Sequence, residues 1–463
     1  MKNKKSEYYK LLAELSILDR CHNSPEMKYA YELLVGHYKG ARLLKYDVDS
    51  EVNKWLRPPF WTCNNAELID ENGNIIVSYK DNKLSVFSYS PYVDKKISFE
   101  QLQNHLLYDS NRPDSTCFHF RNQYRHWDPE WGFSVPYNKV KSLDKSLEYH
   151  VKIDSEFNFN EPMLQSDFHH QGSSDKIYLL IGHFDHPAQV NDGLAGCIVA
   201  YEIIRRLQDV DTRFSYRAFA SVEMVGSAYY VNNSSSNMKS IVEAIFFSFS
   251  GIKSTFAYQE SYKGGSLLDR IVLLIFSFCS NDKPQVFKHR ELVGNDESVF
   301  DSVGFDIPCG TLMRWPFPEY HTDKDSMDIT YKSSMEDSIN FGMRIINIIE
   351  NNFYISLRNP GLPCLGNPNV DLYLSPDNVS GILNNSNIDF DRFSCELPDN
   401  EVEYLQNNTH VLNQFMQDIL RMSNGKYTLF DIAEKSNMPF EFVHKYAKML
   451  QEKEIVKLHE LSI

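Results

Sequence analysis

The architecture of this chain follows from the segment Ile177-Tyr-Leu-Leu-Ile181-Gly-His183-Phe-Asp185-His186-Pro-Ala-Gln-Val-Asn191-Asp192-Gly193. Residues 177–181 form an uninterrupted apolar run, which is typical of a parallel strand buried on both faces. Residues 193–207 then repeat apolar side chains at helical period. The alternation continues downstream, with predicted strands at 214–222, 244–249 and 307–313 and predicted helices at 266–278 and 334–350. This order predicts an α/β fold with a doubly wound, mostly parallel sheet.

Polar side chains follow three of these predicted strands. His183 and Asp192 come after the first strand, Glu223 after the second, and His321 after the last. Because sites in such sheets form beyond the carboxyl ends of the strands, we expect these four side chains to share one site. Imidazoles and carboxylates are the ligands of a catalytic zinc ion, which keeps one position open for water. The sequence therefore predicts a metal centre.

The three carboxylates near this centre have different expected roles. Asp185, two residues after the first histidine, is placed to accept a hydrogen bond from the second ring nitrogen of a metal-bound imidazole. Asp192 could ligate the metal, or it could cap the helix that follows it. Glu223 would be partly buried at the end of an apolar strand and needs a partner there. It either ligates the metal or accepts a proton from bound water.

Besides His321, four further polar residues are considered by position. His321, taken alone, is also consistent with an ordinary loop histidine, and His186 is interpreted as a structural histidine. Asp296 and Glu297 could bind a substrate ammonium group, and Arg314 a substrate carboxylate. For these last three the alternative is an ordinary surface or structural ion pair.

The rest of the chain divides by pattern into further segments. Residues 46–149 contain the hairpin signal Asn72-Gly73 and an apparent strand at 84–89, and are expected to form a small β-rich inserted domain. Residues 1–45 and 150–358 are assigned to the main α/β domain. Residues 359–400 are rich in Pro, Gly, Asn and Asp and predict a surface connector. Residues 401–463 fit a C-terminal winged helix.

Charge and cysteine usage argue against several functions. The formal net charge of −15 disfavours nonspecific binding of nucleic acid or of an anionic membrane. In residues 425–463 six lysines are balanced by one aspartate and five glutamates, which argues against DNA binding and for contact with a protein partner or self-association. Eight scattered cysteines without a CxxC pair, and no secretory or membrane-spanning run, predict a cytoplasmic protein with reduced thiols.

The motifs, taken in order, resemble those of the zinc aminopeptidase clan: His-x-Asp, Asn-Asp-Gly, Glu-x-x-Gly-Ser and a late His. More closely, His-x-x-His-Pro-x-x-x-Asn-Asp, Glu-x-x-Gly-Ser, Gly-x-Asp-Glu and Glu-Tyr-His-Thr resemble a bacterial aminopeptidase-like family, over about residues 46–463. The resemblance implies a zinc-exopeptidase-like α/β domain with a small inserted β domain and a C-terminal winged helix.

Two departures from the clan pattern bear on the metal. The two-zinc aminopeptidases carry adjacent glutamates where this chain has Val-Glu at 222–223, and a ligand aspartate where it has Phe-Ser-Gly at 249–251. With these two carboxylates absent, the resemblance implies one zinc ion per chain, held by His183, Asp192 and His321, with Glu223 as base or fourth ligand.

The expected chemistry is zinc-dependent hydrolysis of an amide bond, as in a metallopeptidase or amidohydrolase. Zinc-bound water would be the nucleophile and Glu223 the general base. The substrate would be a peptide N-terminus or an N-acyl compound such as an N-acyl sugar. The alternative, motivated by the missing carboxylates, is a catalytically degenerate peptidase fold that acts as a binding or regulatory protein through its winged helix.

Overall fold

The structure, a computed structural model, describes residues 7–47, 51–233, 238–279, 283–383 and 397–461. Its internal contacts divide the chain into two compact units. Unit 1 comprises Met1–Gln208, Ser215–Gly264 and Gln285–Ser338, and unit 2 comprises Asp209–Phe214, Gly265–Pro284 and Ile339–Ile463. Among the helices of the described residues, none has both the length and the apolar character that crossing a bilayer requires.

Helices occur, in chain order, at α1 (Glu7–Ser16), α2 (Pro25–His37), α3 (Phe99–Leu102), α4 (Arg121–Tyr124), α5 (Tyr137–Lys141), α6 (Leu194–Leu207), α7 (Val225–Asn233), α8 (Leu267–Ser277), α9 (Glu297–Phe300), α10 (Lys332–Glu350), α11 (Val379–Leu383), α12 (Asp399–Asn407), α13 (Thr409–Met422), α14 (Leu429–Ser436) and α15 (Phe440–Glu452). Strands occur at β1 (Arg42–Tyr46), β2 (Glu51–Val52), β3 (Trp55–Leu56), β4 (Phe60–Asp70), β5 (Ile75–Ser78), β6 (Val93–Ser98), β7 (Leu106–Leu107), β8 (Phe133–Ser134), β9 (Glu148–Asn158), β10 (Met163–His170), β11 (Ile177–His183), β12 (Ser215–Ser221), β13 (Ile241–Phe247), β14 (Thr255–Gln259), β15 (Gln285–Phe287), β16 (Cys309–Trp315), β17 (Tyr354–Leu357), β18 (Asn424–Thr428) and β19 (Val456–His459).

The central sheet of unit 1 has the strand order β1-β10-β12-β11-β13-β16-β14-β15. Its middle strands β12, β11, β13 and β16 are parallel, and antiparallel pairs flank them on both sides. The predicted α/β fold is confirmed, with the difference that the sheet is mixed. β11 is buried along its whole length, which is why it reads as a continuous apolar run. His183 pairs with Ser221, so β11 and β12 end level with each other.

A second, four-stranded sheet in unit 1 has the order β5-β4-β9-β6. The predicted hairpin at Asn72-Gly73 joins β4 to β5, and Asp70 Oδ1 accepts the backbone N–H of Asn72 at 2.9 Å. The predicted strand at 84–89 is wrong. Asn82 Oδ1 accepts the N–H of Leu84 at 2.9 Å and starts a short 3₁₀ turn, because such local side-chain bonds compete with strand pairing.

Unit 2 contains the winged helix, in which α14 and α15 form the helix-turn-helix and β18-β17-β19 form a three-stranded sheet. α15 is covered on more than one side. Phe442 packs against Phe415 of α13 at 5.9 Å between ring centroids, whereas Tyr446 Oη donates to Leu372 O at 2.7 Å. Lys445 Nζ donates to a backbone carbonyl at the end of α11. Residues 384–396 of the predicted connector lie outside the described residues, and the predicted domain boundaries stay predictions.

One arginine of α10 joins three helices of unit 2. Arg344 Nη1 lies 2.6 Å from Glu401 Oε1 of α12, and its Nε lies 2.7 Å from Glu441 Oε1 of α15. The two glutamate side chains are 3% and 2% exposed and the arginine 12%. The planar fork of the guanidinium allows it to pair with both carboxylates at once.

Candidate metal centre

Loops at the carboxyl ends of β11, β12 and β16 meet in unit 1. β11 ends at His183, β12 ends two residues before Glu223, and His321 lies in the loop that follows β16. The structure brings His183 and His321 together at one carboxylate, that of Asp192. His183 Nε2 lies 3.1 Å from Asp192 Oδ1, and His321 Nε2 lies 3.1 Å from Asp192 Oδ2.

A third histidine, His186, belongs to the same cluster. Its Nε2 lies 3.8 Å from Asp192 Oδ2 and 3.5 Å from Glu223 Oε2. His186, Asp192 and His321 each offer a possible ligand atom, and these atoms lie within 4.8 Å of one another. Interpretation of His186 as merely structural therefore missed a candidate ligand. The signal that could have revealed it is the His-x-x-His spacing of residues 183–186 on a short loop.

Asp185 is fully buried behind these histidines. Its Oδ1 lies 3.3 Å from His183 Nδ1 and accepts the backbone N–H of Glu223 at 3.2 Å. Its Oδ2 lies 2.9 Å from Nε2 of His22, a buried residue of the segment between α1 and α2 that the sequence did not single out. A carboxylate in this position fixes the orientation of the histidine ring in front of it.

Glu223 is held by a tyrosine from the region between residues 46 and 149. Tyr124 Oη, at the end of α4, donates to Glu223 Oε2 at 2.5 Å. Burial, together with the nearby negative charge of Asp185, raises the pKa of Glu223 well above its usual value. A carboxylate with a raised pKa, next to a cluster of metal-ligand side chains, is a stronger base than an ordinary glutamate and is suited to proton transfer.

The histidines of the cluster differ in their affinity for protons. Burial lowers the pKa of His186, which favours the neutral imidazole that binds metals. Burial also disfavours the charged form of His183, but hydrogen bonds to Asp185 and Asp192 outweigh it and raise the pKa of His183 well above its usual value. A metal ion at this ring would therefore have to displace a proton.

The loop that presents Asp192 is shaped by two residues that only the structure reveals. The buried carboxylate of Asp325 accepts the backbone N–H of Asn191 at 2.8 Å and that of Asp192 at 2.9 Å. Gly193 lies against the ring of His183, because a Cβ there would be 2.3 Å from Nε2. No other residue type fits this approach without moving the histidine.

The three predicted substrate contacts lie at different places. Asp296 is buried behind the turn that carries Glu223, where its Oδ1 accepts from Ser221 Oγ and from the backbone N–H of Met224, both at 2.9 Å. Glu297 accepts the N–H of Asn295 at 2.9 Å, and burial raises the pKa of Glu297 to about 7.

Arg314, the third of these, donates to Ser254 O at 2.8 Å and lies 3.3 Å from Asp337. Asp296 thus lies close to the turn that carries Glu223, whereas Arg314 contacts Ser254 and Asp337. Substrate contact by Asp296, Glu297 and Arg314 stays a prediction.

The chain is similar along nearly its whole length to proteins of Clostridium acetobutylicum. A curated protein of that organism, whose assigned name joins polysaccharide biosynthesis with an aminopeptidase-like domain, is 26% identical over 457 residues, which is 98% of this chain and 96% of the relative. A crystal structure from the same organism, described as that of a peptidase, matches with a TM-score of 0.82 at 24% identity and covers 98% of this chain and 97% of its own.

The fold is also shared with a characterised class of enzymes. BSAP, a zinc aminopeptidase from Bacillus subtilis, matches with a TM-score of 0.54 at 14% identity, over 72% of this chain and 92% of its own. Residues 403–458 match the family model described as a winged helix-turn-helix, which confirms the predicted C-terminal module. Residues 42–352, well over half of the chain, match the family model described as a domain of unknown function, and the chain therefore belongs to that family, DUF4910.

Proposed function

We propose that this protein is a metal-dependent hydrolase of amide bonds and that its metal is zinc. The observation that supports the proposal most directly is the convergence of three imidazoles on Asp192, beside the carboxylate of Glu223, whose side chain is 12% exposed. The fold shared with a zinc aminopeptidase supports it as well. Fold alone does not specify a reaction, so the proposal rests on the side chains.

One donor set in the structure is compact enough for a zinc ion: ligand atoms of His186, Asp192 and His321 lie within 4.8 Å of one another. Ligands on tetrahedral zinc, with bonds of about 2.0–2.1 Å, lie roughly 3.3 Å from one another. The ring nitrogens of His321 and His186 lie 3.1 and 3.8 Å from Asp192 Oδ2. His183 Nε2 lies 3.1 Å from the other oxygen, Oδ1. Within the described part of the chain, the buried Asp192 Oδ2 also lacks a well-aligned hydrogen bond, as expected of an oxygen that faces a cation.

Three residues would hold the ion in this proposal: His183, Asp192 and His321, with one zinc per chain. His186 is a fourth candidate, since its ring lies between Asp192 and Glu223. A bound zinc ion supplies Lewis acidity toward a carbonyl oxygen and lowers the pKa of water to about 7.

Glu223 would then act as the general base. The hydrogen bond from Tyr124 fixes Oε2, and the raised pKa allows the carboxylate to accept a proton from water and return it to the leaving amine. Asp185 contacts His183 and the backbone of Glu223 and would therefore fix the position of the base relative to the metal ligand. Loss of a general base typically lowers a rate by about a hundredfold to ten-thousandfold.

The substrate we propose is a peptide N-terminus or another N-acyl compound. The aminopeptidase fold supports a peptide. The relative whose name refers to polysaccharide biosynthesis supports an N-acyl sugar. We propose in addition that the winged helix contacts protein rather than DNA, because Lys445 donates to a carbonyl of its own unit and Lys448 lies over the ring of Phe353 at 5.5 Å. Salt-dependent retention on DNA would contradict that part of the proposal.

The test is metal content by elemental analysis of the purified chain, followed by a screen of aminoacyl and N-acyl-sugar amides. About one zinc per chain is expected in the wild type, and little in a His183→Ala, His321→Ala double variant. His150→Ala removes a surface histidine paired with Asp94 and should leave the metal in place. Glu223→Gln should retain metal and lose turnover. Absence of metal from the wild type after zinc is supplied would refute the hydrolase and favour a binding protein.

A further inference from the structure

A completely buried arginine lies behind the loop of residues 184–190, here called the metal loop. Arg20 belongs to the segment between α1 and α2 and has 0% exposure. Its Nε donates to Phe184 O at 2.9 Å, its Nη2 donates to Gln189 O at 2.5 Å, and its Nη1 donates to Leu15 O. One guanidinium therefore binds both ends of the metal loop.

The metal loop needs such external support. His186 and Ala188 have φ values of +77° and +48°, in the left-handed region that residues with a Cβ rarely adopt. Such conformations persist where the surrounding structure determines them. The same N-terminal segment gives a further tie, since Leu18 O accepts the N–H of Ala188 at 3.0 Å.

Burial of the Arg20 guanidinium, which takes its charge out of water, has a cost in free energy. Arg20 forms no salt bridge within the described residues, so its charge is buried with carbonyl oxygens as its direct partners. Burial lowers its pKa to about 10, against the opposing charges of Asp185 and Asp325. A planar fork with several fixed donors can hold two carbonyls of one loop at a set separation, and a lysine cannot.

We infer that Arg20 is a positioning residue that pre-forms the metal loop, so that His186 and Asp185 are in place before an ion binds. This inference rests on the proposed metal site. It extends the site to an N-terminal residue outside the motifs. It also predicts that the loop has the same conformation in the metal-free protein as in the loaded one.

The test compares Arg20→Lys and Arg20→Gln with a matched control, Arg57→Lys. Arg57 is also a buried arginine that donates to backbone carbonyls, those of Pro58, Phe159 and Glu161, none of which lies in the site loops. Affinity for Zn²⁺ is measured by chelator competition, and the geometry of the ligands by visible absorption after Co²⁺ substitution.

Both Arg20 variants should bind Zn²⁺ about 10- to 100-fold more weakly, and their Co²⁺ spectra should differ from that of the wild type. Arg57→Lys should match the wild type in both readouts, even if its thermal stability falls. Equal affinity of wild type and Arg20 variants would overturn the inference. Failure of the wild type to bind metal would instead overturn the proposed function.

A measurement on the wild type alone covers the case in which the Arg20 variants do not fold. Hydrogen exchange of the metal-free protein should show the backbone amides of Phe184 and Ala188, which donate to Ser221 O and Leu18 O, as protected as in the zinc-loaded protein. Rapid exchange of these amides that zinc alone suppresses would contradict a pre-formed loop.

Discussion

Replacement of Arg344 by methionine should destabilise unit 2 in a manner that depends on pH. The guanidinium makes four contacts of 2.6–3.0 Å with Glu401 and Glu441. Methionine fills a similar volume and makes none of them. Two carboxylates would be left close together and buried, which is more costly than the loss of the contacts themselves.

The size of the effect follows from burial. Removal of one partner from a buried ion pair typically costs about 3–5 kcal/mol. Protonation of the unpaired carboxylate limits the loss of stability. At pH 7, protonation of a glutamate of ordinary pKa costs about 3.7 kcal/mol. Burial already raises the pKa of Glu401 with Arg344 present. We therefore expect Arg344→Met to lower the free energy of unfolding by about 4 kcal/mol at pH 7.

The sign of the pH dependence can be worked out. In the variant, a buried glutamate stays protonated in the folded state. In the unfolded chain the same glutamate loses its proton once the pH exceeds its ordinary pKa. The stability of the variant therefore falls as pH rises from about 5 to 7. The difference from the wild type should shrink to about 1 kcal/mol at pH 5, where protonation of an ordinary glutamate costs little.

The assay is hydrogen exchange of α12 and α15 in the full chain, since a chain of two units need not unfold in one step. A loss of about 4 kcal/mol corresponds to roughly 10³-fold faster exchange of these helices. The control is Arg270→Met, whose partners Asp431 and Glu434 are 27% and 43% exposed; a change within about 1 kcal/mol is expected. Exchange that changes less than tenfold at pH 7, or equally at pH 5 and pH 7, would refute the reasoning.

Three further outcomes are expected. Gly193→Ala should weaken Zn²⁺ binding about tenfold or more in chelator competition, because its Cβ would be 2.3 Å from His183 Nε2; unchanged affinity would contradict the packing. Burial raises the pKa of Asp19 from 3.8 to about 6, so its contribution to stability falls by about 2 kcal/mol as pH rises from 4 to 6, and denaturant unfolding should show that Asp19→Asn loses this slope. Tyr124→Phe should retain metal by elemental analysis, and should lower turnover about tenfold once a substrate is found, by freeing Glu223; loss of metal would show a structural role instead.

Much of the site could be read from the sequence because parallel strands end at one edge of a sheet. His183, Glu223 and His321 each follow a strand recognisable by its apolar run, and β11 and β12 indeed end level with each other. The predicted α/β fold rested on the same local pattern. The antiparallel strands at the sides of the sheet were not foreseen, because strand order depends on long-range pairing that leaves no local periodicity.

Other residues of the site could not be predicted from the residues next to them in the sequence. Tyr124 comes from the region before the main strands and reaches Glu223 across 99 positions of sequence. Asp325 and His22 lie on irregular segments, and their roles depend on which backbone groups face them. His186 is the exception. Its spacing from His183 was visible in the sequence, but the residue was interpreted as structural because no second feature of the sequence pointed to a metal ligand.

Few positions of α15 are free to vary. In a winged helix that binds DNA, one side of the recognition helix packs against the rest of the domain. Its outward side contacts the bases and determines which sequence is bound. Here Glu441 faces one side and Phe442 and Tyr446 a second side of the helix, both toward its own unit, and Glu452 is its exposed residue. A saturation library across Phe440–Glu452 should therefore tolerate few substitutions, as the interior of a protein does, because most side chains of this helix are buried.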